Sequence, residues 1–229
     1  MSLVFGGCFS NGILFACDPF ILKNDGKAPQ KLLSFRKFWV SHNLGYAFVS
    51  IGSLQVFSNF CEWLENDDNN KGLDSLAEKW SEINNEWKNT TKHEIDTSDL
   101  STLRPISDSV LFVCKVNELT SIYIIDASGK INQTSTFVFS GSGTYLVTQF
   151  LQTTGSYFDS TNSIQESFLL LQKCFLVARN DLYVSGFPSI IAVTPNNVID
   201  LSDKCADFWF ECENLYFDNL QKLISMTLE

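Results

Sequence analysis

The sequence predicts an α+β fold in which antiparallel sheets carry helices on their outer faces. The chain has 229 residues, of which 45% are hydrophobic and 18% charged, and this composition is typical of a folded globular protein. Predicted strands and helices cluster in blocks along the chain, whereas a parallel sheet would need them to alternate. We find no internal repeat and expect a single domain over residues 1–229.

The first half of the chain opens with strands and continues with helices. Apolar runs predict strands at residues 4–8, 13–17, 35–41 and 46–51. Asn11-Gly12 separates the first two runs, and this dipeptide is a strong hairpin signal. Apolar residues at helical spacing then predict helices at 53–65 and 73–88, and the polar stretch 89–101 is predicted to be a loop.

The second half repeats this order of strands and helices. Ser163 and Glu166 have the spacing of a capping box, which predicts a helix from there to about residue 180. A shorter helix is predicted at 144–153, and a C-terminal helix at about 203–225. The predicted strands lie at residues 110–116, 121–126, 136–140, 189–194 and 198–201.

Charge and composition disfavour several classes of protein. The 16 basic and 26 acidic residues give a net charge of −10, which argues against nucleic acid and anionic membranes as partners. No apolar stretch approaches the ~18–20 residues of a membrane span, and no signal peptide is recognisable, so we expect a cytoplasmic protein. Seven cysteines without CxxC spacing indicate reduced core thiols, and two distant histidines predict neither a metal site nor a cofactor.

Four short features occur in order along the first quarter of the chain. Ser2 precedes Asp18 by 18 − 2 = 16 residues, and Asp18 follows the predicted N-terminal hairpin. Lys37 lies in Phe35-Arg36-Lys37-Phe38, within the third predicted strand. It precedes Gly52 by 52 − 37 = 15 residues, and Gly52 stands in Ile51-Gly52-Ser53 before the first helix.

Two further motifs follow in the second half. Gly141-Ser142-Gly143 precedes a predicted helix, and residues 180–186 read Asn-Asp-Leu-Tyr-Val-Ser-Gly at the end of the long helix. Together these features resemble the proteasome β-subunit superfamily, including HslV and the bacterial proteasome-like Anbu proteins. The resemblance covers roughly residues 2–65 and 109–201. It implies a four-layer αββα sandwich and an N-terminal-nucleophile hydrolase that cleaves peptide or other amide bonds.

The resemblance also implies a role for each site residue. Ser2 would become the nucleophile after removal of Met1, with its own α-amine as the general base. Lys37 would make the hydroxyl and the amine easier to deprotonate, and Asp18 would hold Lys37 charged and oriented. The N–H of Gly52 would face the developing oxyanion.

Ser142 and Asp181 would position the α-amine by hydrogen bonds. Each residue also has a purely structural alternative, which for Ser2 is a disordered second residue or part of an expression leader. Asp18 is also consistent with an ordinary turn residue, and Lys37 with an exposed charged residue at a sheet edge. Lys31 is the alternative candidate for the catalytic lysine. Gly52 fits a helix start, Ser142 a helix N-cap, and Asp181 an exposed residue at a helix end.

The sequence departs from the family pattern in ways that bear on activity. Ser2 stands where the family normally has threonine, and Pro19-Phe20 replaces a pattern that commonly contains arginine. A catalytically inactive structural subunit and an amidohydrolase acting on small amides therefore stay open as alternatives. The 20 Phe and five Trp residues, with the resemblance, predict self-association into a ring or spiral, and the sequence identifies no ATPase partner.

Overall fold

A computed structural model of the chain describes residues 3–18, 21–23, 30–32, 37–41, 45–66, 72–95, 109–181, 184 and 188–202. Its helices are α1 (Leu54–Asn66), α2 (Leu73–Ile95), α3 (Thr144–Thr154) and α4 (Ile164–Ala178). The strands are β1 (Leu3–Phe9), β2 (Gly12–Cys17), β3 (Ile21–Lys23), β4 (Gln30–Leu32), β5 (Phe38–Ser41), β6 (Tyr46–Ile51), β7 (Val110–Lys115), β8 (Glu118–Ile125), β9 (Ile131–Thr134), β10 (Phe137–Gly141), β11 (Ser189–Val193) and β12 (Val198–Asp200).

The strands form two five-stranded antiparallel sheets. The first has the order β10-β1-β2-β11-β12 and the second the order β5-β6-β7-β8-β9, while β3 and β4 pair as a separate ribbon. All the described residues of β1, β2 and β6 are buried, so these strands lie between two apolar layers. Successive side chains point to opposite faces, and both faces of these central strands are therefore apolar.

Three apolar clusters show how the layers stack. The first joins Phe5 and Leu14 of the first sheet to helices α3 and α4. The middle cluster joins the opposite faces of the same strands, at Val4 and Phe15, to the second sheet. A third cluster joins the outer face of the second sheet to α1 and α2, around the fully buried Trp80. The order is thus helices, sheet, sheet, helices, and the predicted αββα sandwich is confirmed.

The structure corrects the prediction between the two halves of the chain. Residues 89–101 were predicted to form a loop, but α2 continues to Ile95. The Thr90 hydroxyl donates to the Glu86 carbonyl at 3.0 Å, one turn earlier, as expected in a continuing helix. This last part of α2 carries polar residues without apolar periodicity, so the sequence pattern could not reveal it.

Short strands were also absent from the prediction. The ribbon β3–β4 lies within the segment between Asp18 and Lys37, and β9 precedes β10. Each has only three or four residues, too few for a clear alternation. The predicted C-terminal helix at about 203–225 lies outside the described residues, and the single domain over 1–229 stays a prediction. Among the described helices, none is long and apolar enough to cross a membrane.

Candidate functional site

The site is built around the first described residue of β1. Leu3 pairs with Gly141 of β10 on one side, and on the other it faces the end of β2. The Leu3 carbonyl accepts a hydrogen bond from the Asp18 N–H at 3.0 Å, and the Leu3 N–H donates to Asp18 Oδ1 at 2.9 Å. Two hydrogen bonds to one residue therefore hold the start of β1. Ser2, the predicted nucleophile, lies outside the described residues.

Asp18 also contacts the predicted lysine. Lys37 Nζ lies 3.3 Å from Asp18 Oδ1, and the two side chains are 8% and 1% exposed. Asp18 directly follows β2 of the first sheet, whereas Lys37 directly precedes β5 of the second. The ion pair thus joins the two sheets. Both side chains are buried, so Lys37 is not an exposed residue at a sheet edge and Asp18 is not an ordinary turn residue. The side chain of Lys31, the alternative lysine, lies outside the description.

Burial beside this ion pair disfavours the charged form of a side chain, and the Cys17 thiol illustrates the effect. Cys17 directly precedes Asp18, and burial raises the pKa of its thiol to about 12, although the charge of Lys37 acts in the opposite direction. Burial likewise raises the pKa of Cys8 to about 11. Both thiols are therefore protonated at neutral pH, which agrees with the prediction that they belong to the core.

Gly52 lies in the turn between β6 and α1, at the same end of the second sheet as Lys37. The Ser50 N–H donates to the Lys37 carbonyl at 3.0 Å, two residues before Gly52. Gly52 is exposed and has φ of +113°, a conformation that favours glycine. Ser53 caps α1, since its hydroxyl accepts the Val56 N–H at 3.4 Å. Gly52 thus directly precedes the residue that caps α1.

Ser109 is a residue of this turn that the sequence analysis missed. It directly precedes β7, is 1% exposed, and its hydroxyl accepts the Ser53 N–H at 2.9 Å. A Cβ added to Gly52 would lie 2.5 Å from the Ser109 hydroxyl oxygen, so the two residues are in close contact. The only sequence signal is a serine immediately before a buried strand, which is too common to predict a contact with residue 52.

Ser142 and Asp181 form a second polar pair. The Ser142 hydroxyl donates to Asp181 Oδ1 at 3.1 Å in a partly buried position. The N-cap of α3 is Gly143, without a side-chain hydrogen bond, so the alternative of Ser142 as the N-cap is wrong. Asp181 is half-buried, and its N–H donates to the Ala178 carbonyl at 2.9 Å where α4 ends.

The second pair lies beside the start of β1 as well. A Cβ added to Gly143 would come within 3.6 Å of Leu3 Cβ, which places the Gly141-Ser142-Gly143 turn next to Leu3. Of the six predicted site residues, the structure thus joins Asp18 to Lys37 and Ser142 to Asp181, with Leu3 between the pairs. Within the described part of the chain, no group of three or more His, Cys, Asp and Glu side chains could hold a metal ion.

Comparison with known proteins identifies the fold. No protein-family model and no curated protein matches the chain. Among solved structures, Anbu (ancestral beta-subunit) from Yersinia bercovieri has a TM-score of 0.67 at 11% identity, over 97% of this chain and 96% of that one. The helical assembly of the Anbu complex from Pseudomonas aeruginosa has a TM-score of 0.67 at 13% identity, over 97% and 95%.

A third similar structure is Anbu from Hyphomicrobium sp. strain MC1. Its TM-score is 0.64 at 15% identity, over 97% of each chain. At identities this low, the similarity concerns the fold. The matches extend over nearly the full length of the chain, in agreement with its two stacked sheets and outer helices. The chain therefore has the Anbu-like proteasome fold, as the resemblance in its sequence predicts.

Proposed function

We propose that this protein is a proteasome-like N-terminal-nucleophile hydrolase that cleaves peptide or other amide bonds, with Ser2 as the nucleophile after removal of Met1. The observation that carries the proposal is the buried ion pair of Lys37 and Asp18 at the start of β1. Asp18 Oδ1 contacts both the Lys37 ammonium and the Leu3 N–H, at 3.3 and 2.9 Å. The Leu3 N–H and the Lys37 ammonium thus share one carboxylate oxygen, which supports a role for Lys37 beside the residue that precedes Leu3.

A buried charged pair of this kind favours a functional role over a purely stabilising one. Taking two charges out of water has a large free-energy cost, and well-packed apolar residues often stabilise a core as well or better. Core stability alone therefore does not explain why both charged side chains are buried here. The position of the pair beside the start of β1 supports the proposal that Lys37 acts next to an N-terminal nucleophile.

The reaction follows from the properties of these groups. The Ser2 hydroxyl attacks the amide carbonyl, and its proton passes to the neutral α-amine, whose ordinary pKa is near 8. The Lys37 ammonium and the Gly52 N–H stabilise the negative charge on the carbonyl oxygen. The protonated amine then donates its proton to the leaving nitrogen as the C–N bond breaks. Water hydrolyses the resulting ester, which regenerates the Ser2 hydroxyl.

The pair of Ser142 and Asp181 has a supporting role in this proposal. A carboxylate near the N-terminus would orient the α-amine through hydrogen bonds, and the Ser142 hydroxyl fixes one oxygen of that carboxylate. Because the α-amine must be neutral to act as a base, we expect amide hydrolysis to increase as the pH rises towards 8.

The direct test combines the mass of the mature protein with covalent labelling. Intact-mass spectrometry establishes whether Met1 is removed, and an epoxyketone then reports a nucleophile with a free α-amine. We expect labelling and amide hydrolysis in the wild type and in Ser2→Thr, and loss of both in Ser2→Ala. A wild-type protein with a confirmed free α-amine that is neither labelled nor able to cleave peptides or small amides would contradict the proposal.

The same experiment separates the alternative functions. Cleavage of small amides but not of peptides would indicate the amidohydrolase. A folded, assembled protein without labelling would indicate the inactive structural subunit, which the serine at position 2 and the Pro19-Phe20 departure favour.

Self-association into a ring or spiral is part of the proposal for the active and the inactive protein alike. The outer helical layer exposes large apolar side chains: Tyr145 is 66% exposed, Leu169 50% and Leu176 43%. The similar Pseudomonas aeruginosa protein was solved as a helical assembly. Light scattering at micromolar concentration should therefore detect a species larger than the monomer, and a monomer would contradict this part.

The five described cysteines are free and buried, which fits the reducing cytoplasm.

A further inference from the structure

Ser109 joins two parts of the chain that meet only in the folded protein. It lies before β7, 57 residues after Gly52 (109 − 52 = 57), yet its side chain contacts the turn between β6 and α1. It is 1% exposed and its hydroxyl accepts the Ser53 N–H at 2.9 Å. This buried hydroxyl therefore satisfies a backbone donor at the start of a helix.

The contacts of Ser109 lie on both sides of the peptide bond between Gly52 and Ser53. On one side is the hydrogen bond from the Ser53 N–H. On the other side the Gly52 Cα packs so closely that an added Cβ would lie 2.6 Å from Ser109 Cα and 2.8 Å from its Cβ. Because a peptide unit is planar, contacts at both ends fix its orientation.

Gly52 needs such an external constraint to keep one conformation. Glycine adopts positive and negative φ with similar ease, so its own backbone preference does not maintain φ at +113°. The hydrogen bond and the close packing of Ser109 supply a preference for that conformation. The direction of the Gly52 N–H depends on it, because the N–H is joined to the same Cα.

We propose that Ser109 is a positioning residue that holds the Gly52–Ser53 turn and thereby directs the Gly52 N–H. This inference rests on the proposed function, in which that N–H stabilises the oxyanion. Loss of one such donor in a hydrolase lowers kcat by about 10²–10³. Loss of its positioning should have a smaller effect, and we expect kcat to fall about 10- to 100-fold with KM changed less than twofold.

The test compares Ser109→Ala with Ser109→Thr and Ser121→Ala. Threonine keeps the hydroxyl and should retain most of the wild-type activity. Ser121 is the matched control, since it is also buried and its hydroxyl also accepts one hydrogen bond, from Gln133 at 2.7 Å. Hydrogen exchange of peptides covering residues 50–57, measured by mass spectrometry on the assembled protein, reports the turn independently of activity.

In Ser109→Ala we expect at least tenfold faster exchange at the Ser53 amide together with the fall in kcat, and neither change in Ser121→Ala. Unchanged Ser53 exchange in Ser109→Ala would overturn the inference, whatever the activity. Faster exchange with wild-type kcat would overturn the link to catalysis. A wild-type protein without amide hydrolysis or labelling would contradict the proposed function, while the exchange result would still decide whether Ser109 holds the turn.

Discussion

The two polar pairs beside the start of β1 differ in charge and in burial. Lys37 and Asp18 are a charged pair whose side chains are 8% and 1% exposed, and they join the two sheets. Ser142 and Asp181 are a hydroxyl and a carboxyl group in a partly buried position, and they join the α3 turn to the end of α4. The first pair has little access to water, whereas water can replace a lost partner in the second.

Because the two pairs differ in burial, the stability of the fold should depend more strongly on the first pair than on the second. At Cys17, beside the first pair, burial raises the pKa of the thiol to about 12, so that thiol stays neutral. Asp18 is buried to a similar degree, and its charge is compensated by Lys37 and the Leu3 N–H. Removing Lys37 therefore takes away part of the compensation of a buried charge, and this cost is larger than that of losing a partner in the partly buried second pair.

The largest expected effect is that of Lys37→Met. This change removes one buried cation that compensates the buried Asp18 carboxylate, so the free energy of unfolding should fall by about 3–5 kcal/mol. Urea denaturation followed by tryptophan fluorescence at fixed protein concentration measures it. Adding Asp18→Asn should recover part of the loss, because the remaining side chain is then neutral.

Lys115 offers the matched control for that prediction. It pairs with Glu118 at 3.0 Å, but the two side chains are 38% and 54% exposed. Lys115→Met should therefore leave the stability almost unchanged, since water solvates the remaining carboxylate. Equal losses in the two lysine variants would show that burial does not distinguish the pairs.

An intermediate effect is expected from alkaline pH. The folded state holds the Cys17 proton up to a pH of about 12, whereas an unfolded thiol loses it above about 8.5. Its contribution to stability is thus complete below pH 8.5 and is lost as the pH rises towards 12, by up to about 1.4 kcal/mol per pH unit. Urea denaturation between pH 8.5 and 10.5 should show a shallower decline in Cys17→Ala.

Val49→Ala controls for the cavity that Cys17→Ala creates. Val49 lies in the same inter-sheet cluster and is fully buried, but it does not titrate. Its replacement should lower stability without changing the pH dependence. If both variants keep the wild-type slope, the Cys17 thiol does not resist ionisation in the folded state.

The smallest effect is expected from Ser142→Ala. The change removes one partly buried hydrogen bond to a carboxylate, which should reduce the free energy of unfolding by about 1–2 kcal/mol. Thermal and urea denaturation should place it between wild type and Lys37→Met. A loss as large as that of Lys37→Met would mean that the second pair is as dependent on its partner as the first.

Much of the fold could be predicted because its core strands and helices have regular apolar patterns. The hairpin of β1 and β2 follows from two apolar runs around Asn11-Gly12, and the capping box at Ser163 and Glu166 begins α4 as expected. The last part of α2 and the short strands β3, β4 and β9 carry too little periodicity to be recognised.

The candidate site could be predicted only in part. Asp18, Lys37, Ser142 and Asp181 were selected through the resemblance to the proteasome β-subunit superfamily, and the structure joins them as two pairs. Ser109 could not be selected, because its contact with Gly52 links residues far apart in sequence.

Local elements could thus be predicted from the sequence, since helix periodicity, strand alternation and turn residues act over a few neighbours. The burial of Lys37 against Asp18 and the packing of Ser109 on Gly52 are visible only in the folded chain. The physical reason is that burial and pairing depend on how the two sheets stack, and stacking brings together groups whose spacing in the chain carries no signal of contact.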